Sequence, residues 1–157
     1  MSTLLVDELY SGINFDQPVT ITRDINVAHV RPWIYKQGTL VDGEFTLEVY
    51  DGATLLASSS IDYTDINSNI TSTYFHGFIR FDFDPLVLRI PEGSADKEYL
   101  FRFYMNNHTT DTGNFIGISR RWEAKVYDTY GTGVIDNEAP NDTVEPAGLE
   151  IYNYKNI

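Results

Sequence analysis

Two neighbouring stretches decide the fold, FHGFIRFDFDPLVLRIPEG at residues 75–93 and KEYLFRFYMN at residues 97–106. In both stretches, apolar and polar residues alternate. Side chains of a strand point alternately to opposite faces, so a period of two predicts half-buried antiparallel strands. The residues on the apolar side are Phe75, Ile79, Phe81 and Phe83 in the first stretch, and Tyr99, Phe101, Phe103 and Met105 in the second.

The rest of the chain repeats this pattern in short units that turn residues separate. Residues 43–60, GEFTLEVYDGATLLASSS, hold two alternating runs around an Asp-Gly turn. Residues 62–73 are polar and are predicted to form a long loop. Pro32 is predicted to place a bend, bulge or sheet edge in its strand and Pro85 to end one, because proline cannot donate to a sheet ladder. The count is eight to ten short strands without a long helix, which is typical of a sandwich or barrel.

Composition argues against several classes of function. The chain of 157 residues has 11 Lys plus Arg against 23 Asp plus Glu, a formal net charge of −12. Nucleic acids and anionic membranes bind clustered basic residues, so neither is expected as a partner. There is no cysteine, hence no disulfide and no thiolate metal site. The start, MSTLLVDELYSG, lacks the features of a secretory signal, which favours synthesis in a cytoplasm.

The order of the units resembles the jelly-roll β-sandwich modules of tailed-phage virion proteins, of the capsid decoration or fibre type. Residues 43–60, 75–93 and 97–105 carry the likeness, through a Tyr-Asp-Gly turn, a Phe-rich strand, a Pro-Glu-Gly turn and a Tyr-x-Phe-x-Phe-Tyr strand. The pattern is also similar to carbohydrate-binding-like sandwiches. The resemblance implies an antiparallel jelly roll that attaches to lattices, fibres or glycans, and in some members holds a structural calcium.

The pattern along the chain predicts one central domain with two extended terminal segments, of which the acidic arm after Asp128 departs from the usual glycan-binding module. Residues 13–127 are expected to form the jelly roll. Residues 1–12 form an N-terminal arm, either extended or a short helix that Ser2 caps. Residues 128–157 form an acidic arm rich in Gly and Pro that ends in a strand, packed on the same domain or on a neighbouring subunit.

Aromatic and basic residues on the outward faces of the strands are the candidate partner contacts. Protein interfaces are enriched in aromatic residues and arginine. The same rings could stack on sugars, but tyrosine and phenylalanine are also simply good strand formers. Trp122 is expected in the core and Trp33 partly exposed. The candidates are Tyr50, Phe78, Arg102, Tyr104, Tyr127, Tyr152 and Tyr154, with Arg80 and Lys125 beside them.

No motif predicts a catalytic residue, a cofactor or a metal site. The loop carboxylates lack the spacing of an EF-hand and are interpreted as solvated charge, with calcium as the ion they would take. Three histidines, His29, His76 and His108, lie far apart in the sequence and are each predicted at the surface or a sheet edge. A glycosidase would need only two opposed carboxylates, which leaves a hydrolase as a third hypothesis. The loop carboxylates are Asp62, Asp65, Asp136, Glu138, Asp142 and Glu145.

The sequence therefore predicts a non-enzymatic virion structural protein of a tailed phage, a decoration (cement) or fibre-associated protein. Its expected partners are capsid or tail proteins of the same virion and further copies of itself, with a trimer as the preferred oligomer. It would be made in the host cytoplasm and act in the virion. The alternative is a carbohydrate-binding module that recognises surface glycans through exposed aromatic residues.

Overall fold

The computed structural model describes the backbone of residues 6–9, 14–109, 113–119, 124–128, 134–138 and 149–153, and the side chains of residues 9, 14–109, 113–118 and 151. Within these residues it has twelve strands and one helix, α1 (Tyr63–Asn69). The strands are β1 (Val6–Leu9), β2 (Asn14–Ile21), β3 (Ile25–Gln37), β4 (Glu44–Asp51), β5 (Thr54–Asp62), β6 (Tyr74–Phe78), β7 (Phe81–Leu88), β8 (Lys97–Asn106), β9 (Phe115–Ser119), β10 (Ala124–Asp128), β11 (Val134–Glu138) and β12 (Leu149–Asn153).

Two antiparallel sheets pack face to face as a sandwich. One sheet has the strand order β2-β8-β4-β5. In the other sheet, β1, β9 and β3 lie side by side. Strands β6 and β7 pair one after the other with the opposite edge of β3. From β1 to β9 the chain alternates between the sheets, except that a tight turn joins β4 to β5 within one sheet and that β6 and β7 together occupy one strand position in the other. This is jelly-roll connectivity with four strand positions in each sheet, so the predicted fold class is confirmed.

Three further strands extend the sheet that contains β3. The last of them, β12, pairs antiparallel with residues 27–32 of β3, next to residues 34–37 of β3, which pair with β9. Next to it lies β10, which runs parallel to β12, and β11 pairs antiparallel with β10. The strand expected at the end of the acidic arm thus joins the sheet of its own chain. The parallel pair of β10 and β12 is a departure from the purely antiparallel expectation.

The described part of the N-terminal arm belongs to the same sheet. Strand β1 pairs antiparallel with β9, with Leu9 opposite Ile116. Leu9 is fully buried, so this segment contributes to the core. For residues 6–9 the extended alternative holds and the helical one is wrong.

The core lies between the two sheets and is formed by alternate residues of their strands. Phe81, Phe101 and Phe103 are fully buried and Phe83 nearly so. The rings of Phe45, Phe81 and Phe103 lie 5.0 to 6.2 Å apart between centroids, within the range of favourable aromatic contacts. The alternation in the two deciding stretches therefore predicted these core residues correctly, whereas Phe75 and Ile79 are only partly buried and the first stretch is divided into β6 and β7.

The predicted bend or bulge at Pro32 is wrong, because β3 runs through this residue without interruption and its register shift lies at Val27 and His29; of the predicted alternatives, only a local sheet edge agrees with the structure. Pro32 lies where β3 changes partner, since Val30 is opposite β7 and Trp33 is opposite β6. The carbonyl of Pro32 accepts a hydrogen bond from the amide of Ile79 between these two strands, at 3.2 Å. The missing N–H of proline thus falls at a gap in the pairing, where it costs little.

The predicted strand end at Pro85 is wrong as well, because β7 continues to Leu88. Asp82 is opposite His29 and Leu86 is opposite Val27, so three residues of β7 face one residue of β3. Such a bulge tolerates proline, and it lets Phe83 and Leu86 both point inward.

The predicted loop at residues 62–73 contains the helix α1. Asp62 caps this helix by accepting a hydrogen bond from the amide of Thr64, at 3.1 Å. Ile66 and Ile70, four residues apart, are buried against the sandwich. The loop was predicted because the segment is mostly polar, and the two isoleucines alone form a short amphipathic pattern.

Candidate functional site

The predicted contact residues divide between the two outer faces of the sandwich. Tyr50 on β4 and both Arg102 and Tyr104 on β8 lie on the four-stranded sheet. Phe78 on β6 lies on the other sheet, opposite Trp33. The structure therefore brings three of the candidates together and separates them from the fourth. The remaining candidates lie with their side chains outside the described residues, namely Tyr127 in β10, Tyr152 in β12, Tyr154 and Lys125.

A group that we call the Arg102 cluster crosses the four-stranded sheet; it consists of Asp16, Glu48, Tyr50, Arg102 and Tyr104. Arg102 is opposite Asp16 on one side and Glu48 on the other. Its guanidinium binds the Asp16 carboxylate through two hydrogen bonds, Nε to Oδ1 at 2.8 Å and Nη2 to Oδ2 at 3.0 Å. These bonds raise the pKa of Arg102, so its guanidinium stays charged.

The two tyrosines of the Arg102 cluster are held by Glu48 and by Arg102. The Tyr50 hydroxyl donates to Glu48 Oε1 at 2.9 Å, and the guanidinium carbon of Arg102 lies 5.1 Å from the centre of the Tyr50 ring. The bond to Glu48 raises the pKa of Tyr50, while burial and then Glu48 raise that of Tyr104. Both phenols are therefore neutral at physiological pH. The cluster is a surface whose side chains are already fixed.

The second outer face carries what we call the Trp33 strip, formed by Arg31, Trp33, Tyr35, His76 and Phe78. Trp33 is directly opposite Phe78, and Tyr35 is opposite His76. The ring centroids lie 4.9 Å apart in the first pair and 4.6 Å in the second. The Arg31 guanidinium carbon lies 4.7 Å from the centre of the Phe78 ring. Such cross-strand aromatic and cation–π contacts fix the strip as a half-buried surface.

Two arginines, Arg31 and Arg80, lie in or beside the Trp33 strip, although the chain as a whole is acidic. Burial lowers the pKa of His29, and Arg80 and Arg31 lower it further, against the opposite effect of Asp82. His29 is therefore neutral at pH 7. Arg80 and Asp82 form an exposed ion pair at 2.6 Å. This end of the face thus presents arginines beside aromatic rings, the two residue types that interfaces favour.

A cavity of about 560 Å³ adjoins the Trp33 strip, between α1, the end of β5 and the junction of β6 and β7. Its apolar lining includes Ile66 and Phe78, and its polar lining includes Asp65, Asn69 and Arg80. A space of this size with a few polar groups can receive a side chain of a partner or a sugar unit.

Trp33 is half-buried, which confirms the prediction of partial exposure, whereas Trp122 lies outside the described residues.

Within the described part of the chain, no group of three or more His, Asp or Glu is placed to hold a metal. Asp62 caps α1 and Asp65 lines the cavity, so these two serve different parts of the fold. The other loop carboxylates have side chains outside the described residues; these are Asp136 and Glu138 in β11, Asp142 and Glu145.

The surface position predicted for His108 is wrong, since this residue is only 3% exposed. Its Nδ1 lies 3.0 Å from Oδ1 of Asp42, whose carboxylate also accepts hydrogen bonds from the amide and hydroxyl of Thr109, at 2.8 and 2.5 Å. These bonds to Thr109, more than His108, lower the pKa of Asp42. His76 is exposed and His29 half-buried, in agreement with the prediction.

The sequence interpretation also missed Lys36, which is 2% exposed. Its Nζ donates to the carbonyls of Gly38, at 2.5 Å, and Ile70, at 3.3 Å, and burial lowers its pKa. The lysine thus ties the end of α1 to β3. Strict alternation from Ile34 would have placed it on the inward face.

A scan against protein families and searches among curated proteins and solved structures found no match to this chain. No helix within the described ranges is long and apolar enough to cross a bilayer. The assignment of the fold therefore rests on the strand connectivity alone, which is that of an antiparallel jelly-roll β-sandwich with three added strands.

Proposed function

We propose that the protein is a non-enzymatic structural protein of a tailed-phage virion, a decoration or fibre-associated protein that docks on a capsid or tail lattice. The observation that supports this most is the pair of fixed aromatic–arginine surfaces on opposite outer faces of one jelly roll. A protein that joins a lattice contacts more than one neighbour, and two separate surfaces suit that task.

The construction of both surfaces favours docking. Binding costs free energy for each flexible side chain that the partner must order, about 0.5 to 1.5 kcal/mol. In the Arg102 cluster this ordering is already achieved by Asp16 and Glu48. In the Trp33 strip it is achieved by the pairing of Trp33 with Phe78. Each surface therefore keeps more of its contact energy for a partner.

The test is the composition of the particle. Mass spectrometry of purified virions whose genome encodes the chain is expected to find it in many copies. Arg102→Ala and Trp33→Ala should each reduce incorporation, while Glu98→Ala, an exposed change on β8 outside both surfaces, should not. Absence of the protein from the virions would contradict the proposal.

A carbohydrate-binding module is the second candidate. The observation in its favour is the position of Phe78, which belongs to the Trp33 strip and also lines the cavity with Asp65 and Asn69. Aromatic rings beside carboxylate and amide groups can hold a sugar. Trp33→Ala would then abolish binding on a glycan array and leave the fold intact, whereas Tyr104→Ala, on the opposite outer face, would not affect this site. An array without a signal for the native chain would remove this candidate.

A further inference from the structure

The cavity of about 560 Å³ beside α1 combines an apolar lining with two polar side chains of the helix. We call it the α1 cavity. Asp65 and Asn69 are four residues apart, so they lie on one face of α1, and both line the cavity. The apolar part of the lining comes from α1 and its end, from the end of β5 and from the junction of β6 and β7; it consists of Ile61, Ile66, Ile70, Phe75, Phe78 and Ile79.

The two polar side chains of the α1 cavity are available to a ligand. Among the residues that the structure describes, neither Asp65 nor Asn69 has a hydrogen bond or an ion pair. Other polar side chains of α1 are used by the fold, since Asn67 binds backbone groups between β3 and β4 and Ser68 donates to the carbonyl of Thr64 at 2.8 Å. Asp65 and Asn69 therefore line the cavity without a part in holding the helix.

The charges around the α1 cavity favour a cation. Arg80 lies at the cavity, but its Nε donates to Oδ1 of Asp82 at 2.6 Å, so this ion pair adds little net charge. Lys36, whose Nζ binds the carbonyl of Ile70, is 2% exposed and does not line the cavity. The carboxylate of Asp65 thus remains as an uncompensated negative charge. The net charge of −12 on the whole chain attracts cations and repels anions over a longer range.

We propose that the α1 cavity binds a lysine or arginine side chain of a partner polypeptide. Such a side chain has an apolar stem and a charged head. The stem would contact Ile66 and Phe78, and the head would bind the carboxylate of Asp65. The amide oxygen of Asn69 is a second acceptor for it. The volume of the cavity is that of an ordinary ligand pocket, so the backbone that carries the side chain also has room.

This inference rests on the proposed docking function, since the basic side chain would belong to a neighbour in the virion. A sugar is the competing occupant, because its hydroxyls would also bind Asp65 and Asn69. The two ligands differ in charge. Affinity for a basic side chain should fall as salt rises from about 0.05 to 0.5 M, whereas affinity for an uncharged sugar should not depend on salt.

Titration of the full chain with acetylated and amidated pentapeptides, followed by nuclear magnetic resonance, tests the inference. The peptides are Ala-Ala-Lys-Ala-Ala and its counterparts with arginine, norleucine or glutamate at the centre, and methyl glucoside is the sugar probe. We expect saturable shifts of α1 and β6 amides with the basic peptides, weaker binding of the norleucine peptide and none of the glutamate peptide. Salt should weaken the binding of the basic peptides only.

Two matched variants separate the carboxylate of the cavity from the general charge of the chain. Asp65→Asn should weaken binding of the basic peptides by about three- to fivefold, the size typical of an exposed ion pair, and leave the norleucine peptide unaffected. Asp96→Asn removes the same charge at an exposed residue that does not line the cavity, and should leave binding unchanged. Circular dichroism and the thermal midpoint establish that both variants are folded.

Equal affinity for the norleucine and basic peptides would overturn the inference, as would equal losses for Asp65→Asn and Asp96→Asn. Shifts of α1 amides with methyl glucoside but not with the basic peptides would also overturn it, and would support the carbohydrate-binding candidate. If no peptide gives a saturable shift, the inference fails while the virion role stands on the composition of the particle. If the basic peptides bind as expected but virions lack the protein, the cavity keeps its ligand and the virion role fails.

Discussion

At the scale of single residues, the ion pair of Arg102 with Asp16 fixes the position of the arginine side chain on the outer face of the sheet. Its two parallel hydrogen bonds to Asp16 hold the guanidinium against the Tyr50 ring. Both partners are partly exposed, so we expect a coupling free energy of about 0.5 to 1 kcal/mol. A double-mutant cycle of Arg102→Ala and Asp16→Ala in urea denaturation measures it. Strict additivity of the two single changes would contradict the expectation.

Asp42 gives a dependence of stability on pH. Its pKa in the folded chain lies below the ordinary value of 3.8, because Thr109 donates two hydrogen bonds to the carboxylate. The unfolded chain therefore takes up a proton first as the pH falls, and the stabilisation present at neutral pH is lost below about pH 4. Asp42→Asn should cost about 1 kcal/mol at pH 7 and less at pH 3.

Denaturation of the native chain and the Asp42→Asn variant at both pH values checks this expectation. Asp96→Asn, a change of the same type at an exposed residue between β7 and β8, is the control. A difference for Asp42→Asn that is equal at pH 7 and pH 3 would show that the charge of Asp42 does not stabilise the fold.

At the scale of elements, α1 is attached to the sandwich through Asn67. The side chain of Asn67 accepts a hydrogen bond from the amide of Leu40, at 3.0 Å, and donates to its carbonyl, at 2.7 Å. Leu40 is buried, so Asn67→Ala leaves two backbone groups unsatisfied and should cost about 1 to 3 kcal/mol. Asn69→Ala, the same change at an exposed position of α1, should cost much less. Equal urea midpoints for the two variants would contradict this role.

At the scale of the whole molecule, the aromatic core joins the two sheets. Phe103 of the four-stranded sheet contacts Phe81 of the other sheet, with ring centroids 6.1 Å apart. Phe103→Ala should lower the free energy of unfolding by about 3 to 5 kcal/mol. Phe78→Ala, on the outer face, should cost clearly less in the same calorimetric or urea measurement. A loss of similar size for both would mean that the core is not where the sheets are held together.

The sequence by itself determined which side chains point inward, because the alternation of a strand is a local property of the backbone. Phe81, Phe83, Phe101 and Phe103 followed from it, and Lys36 could have done so. Alternation separates the inside of a sheet from its outside but says nothing of which sheet a strand joins. Only the tertiary structure decided that Tyr50, Arg102 and Tyr104 share one outer face while Phe78 lies on the other. The same holds for the burial of His108, because loop contacts and strand pairing join residues far apart in the chain.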